Sequence, residues 1–251
     1  MLSRGALPRR ALAELLGSAL LVTVVVGSGI AAERLSPGEA GLQLLENALA
    51  TALGLAVLIL ALGPVSGGHF NPVVSVVDWA LGRRAGTGLP AGELAAYLPA
   101  QLAGAFAGAV LANVMFELPA VHLAATSRPG AGRVVGEVVA TAGLVLVVFA
   151  LARTGRAGLS AAAVGSYIGA AYWFTSSTAF ANPAVTLGRV FSDSFAGIAP
   201  GSVPPFLLGQ AIGGVLGAGV VLLLYPDAPA AAEDVVVRHE HASSEGEHPD
   251  G

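Results

Sequence analysis

The chain has 251 residues, of which 55% are apolar and 11% charged, and its formal net charge is -4. So little charge excludes an ordinary soluble domain, and no nucleic-acid partner is expected. The absence of cysteine excludes a disulfide framework, a thiolate metal site and a thiol nucleophile.

Arg9 and Arg10 close a short polar segment, residues 1–10, and precede an apolar run over residues 11–31. That run exceeds the ~7 to 15 apolar residues of a signal peptide core and matches the ~20 needed to cross ~30 Å of hydrocarbon as a helix. It is read as the first membrane helix. A second apolar run covers residues 44–62. Residues 66–70 then form a short stretch expected to be extended, and Asn71-Pro72-Val73 follows. Gly67 and Gly68 permit tight backbone there, and Pro72 suits the first turn of a helix because it has no amide hydrogen to lose. A half-helix is therefore expected from Pro72 to about Leu81.

Further spans are expected at residues 94–116, 134–151 and 159–174. A second stretch, residues 178–181, leads into Asn182-Pro183-Ala184 and a second half-helix to about Phe191. The last span covers residues 206–224. Residues 226–251 are acidic and poor in large apolar groups, so this tail is expected to be disordered, with His239, His241 and His248 solvated rather than gathered around a metal. No cofactor or metal site is expected anywhere in the chain.

The two halves repeat. Ala13-Glu14-Leu15-Leu16 pairs with Gly136-Glu137-Val138-Val139, Asn71-Pro72-Val73 with Asn182-Pro183-Ala184, and Gln101 to Gly108 with Gln210 to Gly217. Three spans per half is an odd number, so the second half must enter the membrane upside down. The expected fold is an all-α membrane protein of two inverted repeats, residues 11–116 and 134–225, with six transmembrane helices and two re-entrant half-helices. Short, Gly/Pro-interrupted segments at matching positions of such repeats point to a site near the membrane midplane. Carbonyls of the two stretches can line a water-filled cavity at that depth.

All basic residues are arginines, and their distribution sets the orientation. Arg4, Arg9, Arg10, Arg83, Arg84, Arg153 and Arg156 fall on one side; Arg34, Arg128, Arg133 and Arg189 fall on the other. Both termini are expected in the cytoplasm, with the channel in the plasma (inner) membrane.

Ser66-Gly67-Gly68-His69-Phe70-Asn71-Pro72-Val73, with its counterpart at Asn182, closely resembles the signature of the major intrinsic proteins, the aquaporin and aquaglyceroporin family. The resemblance covers roughly residues 8–225. It implies that Asn71 and Asn182 donate hydrogen bonds to a permeant at the pore centre, that Glu14 and Glu137 brace the re-entrant loops together with His69, and that four identical protomers each carry a pore. Two half-helix N-termini meeting at the midplane would place about half an elementary charge each there, repelling cations and admitting neutral hydroxylic solutes. The asparagines can also cap their half-helices.

Counting from the asparagines, the resemblance places the family's selectivity positions at Thr51, Ala170, Ala179 and Val185. None is the arginine, histidine or aromatic residue that water-selective members carry, so a wide and rather apolar pore is expected. Asn182-Pro183-Ala184-Val185 with residues 170–175 is similar to a bacterial subgroup of aquaglyceroporins associated with arsenic resistance. That implies passage of trivalent metalloid acids or methylated arsenicals, with glycerol-like solutes as the alternative. Arg189, four residues after Val185, either contributes to an outer vestibule or is an interfacial arginine that snorkels or binds loop carbonyls; the second is the expectation. Asp78, its repeat equivalent, is expected to pair with Arg83 or Arg84 at the surface.

A secondary active transporter is the competing class, since inverted repeats also build those. It would need a coupling site, and Glu14 and Glu137 are the only ionisable pair suited to one. No nucleophile elbow, phosphate loop or metal-ligand spacing suggests an enzyme.

Overall fold

The computed structural model describes residues 6–83 and 88–226. Arg4, Arg84 and the histidines of the tail lie outside the described residues, so the expectations for them do too.

Among the described residues eight α-helices follow in order: α1 Ala6–Leu35, α2 Ala40–Ser66, α3 Pro72–Gly82, α4 Ala91–Met115, α5 Ala131–Arg153, α6 Ser160–Phe174, α7 Pro183–Gly188 and α8 Val203–Leu224. Six are the expected spans, and α3 and α7 are the expected half-helices. Five of the six are long and apolar enough to cross a bilayer. The sixth, α6, has 15 residues, about 22 Å of helix, and a 3-10 turn at Ala157–Leu159 leads into it. The second half-helix is shorter than expected: after Gly188 the chain tightens into a 3-10 turn, Arg189–Phe191.

The large side chains are turned outward. Leu53, Val57 and Leu60 of α2 are at least 60% exposed, and Leu223 of α8 is 79% exposed. A wall facing lipid needs no polar face, so helices here are apolar all round. The interior instead selects for small residues that let backbones approach. A Cβ on Gly213 would lie 2.6 Å from the Val138 carbonyl oxygen, and one on Gly217 2.7 Å from that of Ala142. Gly104 and Gly108 of α4 press even closer on the Leu15 and Ala19 carbonyls of α1. The four contacts are the same contact made twice: α4 runs parallel to α1 as α8 runs parallel to α5. Across the halves, α2 packs on α6.

Candidate pore at the meeting of two half-helices

Each half-helix is started by its asparagine. Asn71 and Asn182 have extended backbone. The Asn71 side-chain oxygen accepts from Val73 N at 3.0 Å, and that of Asn182 from Ala184 N at 3.0 Å and Val185 N at 3.2 Å. This is N-capping, with proline at the first helical position where its missing donor costs nothing. The amide nitrogens reach across the repeat boundary: Asn71 Nδ2 donates to Ala181 O, and Asn182 Nδ2 to Phe70 O, both at 2.8 Å. Each amide group has two hydrogens, so one ties the loops together and the other is left for the cavity both asparagines line.

The stretches before the asparagines are not extended as expected. Gly67 and Gly68 have φ of 90° and 65°, and Phe70 has φ of 46°. The second loop repeats these left-handed turns without glycine: Thr178, Ala179 and Ala181 have φ of 61°, 47° and 47°. Each non-glycine residue there costs about 1–2 kcal/mol, so the second loop stores more strain than the first. Two buried carboxylates hold the loops. Glu14 accepts from His69 N at 3.0 Å, Phe70 N at 2.7 Å, the Ser66 hydroxyl and Gln101 Nε2. Glu137 accepts from Phe180 N and Ala181 N, both at 2.9 Å, and from Gln210 Nε2 at 2.6 Å. The two glutamines also donate to Ser75 and Thr186, the matching hydroxyls of α3 and α7. Both carboxylates thus accept from two successive loop N–H groups and from the glutamine of a neighbouring helix.

A cavity runs past these loops. Its lining is largely apolar, with Leu21, Val25, Leu55, Ile59, Leu144 and Val148 among its residues, and it also includes His69, the two asparagines, Phe180 and Arg189. Toward the end where α2 begins and α6 finishes, Thr51 Oγ1 lies 3.2 Å from Tyr172 Oη, and the Tyr172 side chain hydrogen-bonds Arg189. Arg189 is 2% exposed. Its Nε donates to Ala196 O, and its guanidinium carbon lies 3.4 Å from the centre of the Phe180 ring.

The family model of the major intrinsic proteins matches residues 1–178. The chain belongs to that family. It is 46% identical over 224 residues to aquaglyceroporin AqpS of Rhizobium meliloti (strain 1021), spanning 89% of this chain and 93% of that protein. It is 39% identical over 168 residues to the lens fiber major intrinsic protein of Gallus gallus, spanning 62% of this chain and 59% of that one. The aquaglyceroporin structure from Plasmodium falciparum superposes with a TM-score of 0.66 over 90% of this chain and 100% of that chain, at 21% identity, a likeness of fold. Members of the family are channels rather than enzymes, and this chain is a multi-pass membrane channel for small solutes.

Two expectations about individual residues, those for Ala170 and Asp78, are corrected by the channel's geometry. Ala170 is exposed on the outer face of α6 and does not line the cavity; Ile168 and Tyr172 do. Successive helical residues are turned by about 100°, so the two-residue step from Ala170 to Tyr172 leads to the opposite side. Of the alternatives for Arg189, the structure has the loop carbonyl, Ala196 O, and the side chain is buried against the cavity. Asp78 is buried rather than at the surface, accepting from Leu89 N at 3.1 Å with its Oδ2 3.7 Å from His69 Nε2, while Arg83 stacks on Trp79. Thr51, Ala179 and Val185 do line the cavity. Tyr172 escaped the sequence reading because the serines of α6 fall on both its buried and its exposed side, Ser160 and Ser166, so polarity does not mark the inner face.

Proposed function

We propose that the chain is a passive channel for neutral hydroxylated solutes larger than water: glycerol-like polyols, undissociated trivalent metalloid acids and methylated arsenicals. The observation that carries this reading is the mixed lining of the cavity, in which apolar side chains predominate and Asn71, Asn182, Tyr172 and Arg189 supply donors. A polyol or arsenous acid can give its hydroxyls to these donors, trading its water shell for them, while its less polar parts meet the apolar lining. A small anion or metal ion gains nothing from that apolar lining. The relative from Rhizobium meliloti, named an aquaglyceroporin, supports the solute class. The pore unit is residues 11–225, in the plasma (inner) membrane with both termini cytoplasmic, and four copies assemble in the bilayer with one pore each.

Reading Tyr172 and Arg189 into the cavity favours a second possibility, a water and polyol channel without a metalloid role, since both present donors to any hydroxyl. A permeability panel in proteoliposomes separates the two. Arsenous acid and glycerol are expected to enter down their gradients at rates well above protein-free vesicles, with no dependence on proton or sodium gradients. Glycerol flux without arsenous acid flux would leave only the polyol channel, and uphill movement driven by an ion gradient would replace the channel with a transporter.

A further inference from the structure

The two half-helices carry a charged residue at one repeat-equivalent position, Asp78 in α3 and Arg189 just after α7. Each lies against a ring at another equivalent position. Asp78 Oδ2 is 3.7 Å from His69 Nε2, and the Arg189 guanidinium carbon is 3.4 Å from the Phe180 ring centre. Both rings line the conduit, and of the two charged groups Arg189 lines it as well. The inverted repeat therefore puts buried charges of opposite sign beside the two arms of the conduit.

Arg189 is among the most deeply buried large side chains of the protein. Among the described residues it has no carboxylate within ion-pair distance. A guanidinium in that position carries a heavy desolvation cost, and an ionisable side chain at membrane depth is by default a functional group. What offsets the cost here is a clamp. The Nε donates to Ala196 O, the side chain hydrogen-bonds Tyr172, and the flat face lies on Phe180. Phe180 is fixed in turn by the edge of Phe206, with ring centres 5.0 Å apart, and by Arg128, 5.1 Å from its centre. Arg128 donates to Gly197 O at 2.9 Å and Phe195 O at 3.0 Å, so three successive loop carbonyls each receive an arginine N–H.

We infer that Arg189 is the specificity-determining cation of the conduit, set one helical turn beyond Val185 and held in place by Phe180, Ala196 and Tyr172. The inference rests on the reading of the conduit as a path for neutral solutes. A guanidinium has five N–H donors; Ala196 and Tyr172 occupy part of the set, and the rest meet solute hydroxyls while the charge turns cations away. The Thr51–Tyr172 contact extends this donor edge to α2.

The experiment compares the wild type with R189Q, R189K and R133Q in proteoliposomes, measuring water, glycerol and methylammonium fluxes. R189Q removes the charge and should raise methylammonium leak at least about 10-fold. R189K keeps the charge and loses the planar fork, so it should stay tight to methylammonium while its glycerol-to-water ratio falls. A merely structural arginine would not divide the two readouts in this way. R133Q removes a positive charge from the same end of the molecule, outside the conduit, and should change neither. Should R189Q fail to assemble, Y172F decides, because it keeps the ring and deletes the hydroxyl that holds the guanidinium: a lower glycerol-to-water ratio is expected. Wild-type leak and selectivity in reconstituted R189Q, or unchanged selectivity in both R189K and Y172F, would overturn the inference. None of these fluxes involves a metalloid, so failure of arsenous acid transport would count against the proposed substrate and not against Arg189.

Discussion

Replacing Glu137 with alanine should abolish solute flux and sharply reduce the folded protein recovered from membranes. The substitution strips the acceptor from Phe180 N, Ala181 N and Gln210 Nε2, all buried. A buried donor left without a partner costs about 1–3 kcal/mol, so the three together cost about 3–9 kcal/mol. The loop to which Phe180 and Ala181 belong also holds Thr178, Ala179 and Ala181 at positive φ, and loss of the carboxylate would favour its relaxation. Glu14→Ala also strips the acceptor from the Ser66 hydroxyl, but a hydroxyl can rotate to another acceptor, and the damage should be smaller because two of the left-handed positions in its loop are glycines, which adopt them without strain. Glu137→Gln keeps one acceptor oxygen and should fall between wild type and alanine. The measurement is folded yield by size-exclusion chromatography in detergent, followed by glycerol flux in vesicles. Equal losses for Glu14→Ala and Glu137→Ala would show that loop strain plays no part in the difference.

A second large effect is expected from Gly217→Leu in α8. The first atom of the new side chain would lie 2.7 Å from the Ala142 carbonyl oxygen and 2.8 Å from Val145 Cβ, and the remaining three carbons have no room between α8 and α5. Helices cannot yield by repacking a carbonyl, so they must separate; roughly 3 kcal/mol or more is expected, about a hundredfold in the folding equilibrium. Gly219 stands two residues further along the same helix with nothing within 4 Å of its added Cβ. Gly219→Leu should therefore express and assemble like the wild type. Thermal melting of both variants in detergent checks the pair, and comparable stability of the two would refute the close packing of α5 and α8.

Much of this fold could be read without coordinates. In lipid, backbone donors and acceptors must be satisfied within helices, so apolar runs of the right length convert directly into spans, and the duplication around Glu14/Glu137, Asn71/Asn182 and Gln101/Gln210 converts directly into an inverted pair. The bracing glutamates were legible for the same reason: a charged residue at the same place in both halves has a structural job common to both. The wall of the conduit was much less legible. A soluble helix announces its buried face by polar residues on the other, but the few polar residues of α6 fall on both sides, so counting along the chain to Ala170 chose a residue that faces outward when Tyr172 faces in. Asp78 was misjudged because charge suggests surface, and only the chain's return at Leu89 supplies the backbone donor that lets it be buried.

Composition and repetition thus determined a six-span channel with two asparagine-capped half-helices meeting end to end, because those features follow from local rules applied twice. Tertiary structure alone decided how the paired asparagines are used, with one amide hydrogen of each spent on tying the loops together across the repeat boundary. It also decided which side chains meet the solute. Arg189 reaches the conduit through contacts with Phe180, Tyr172 and Ala196 that lie 9, 17 and 7 residues away in sequence, and no pattern along the chain encodes where such groups converge in space.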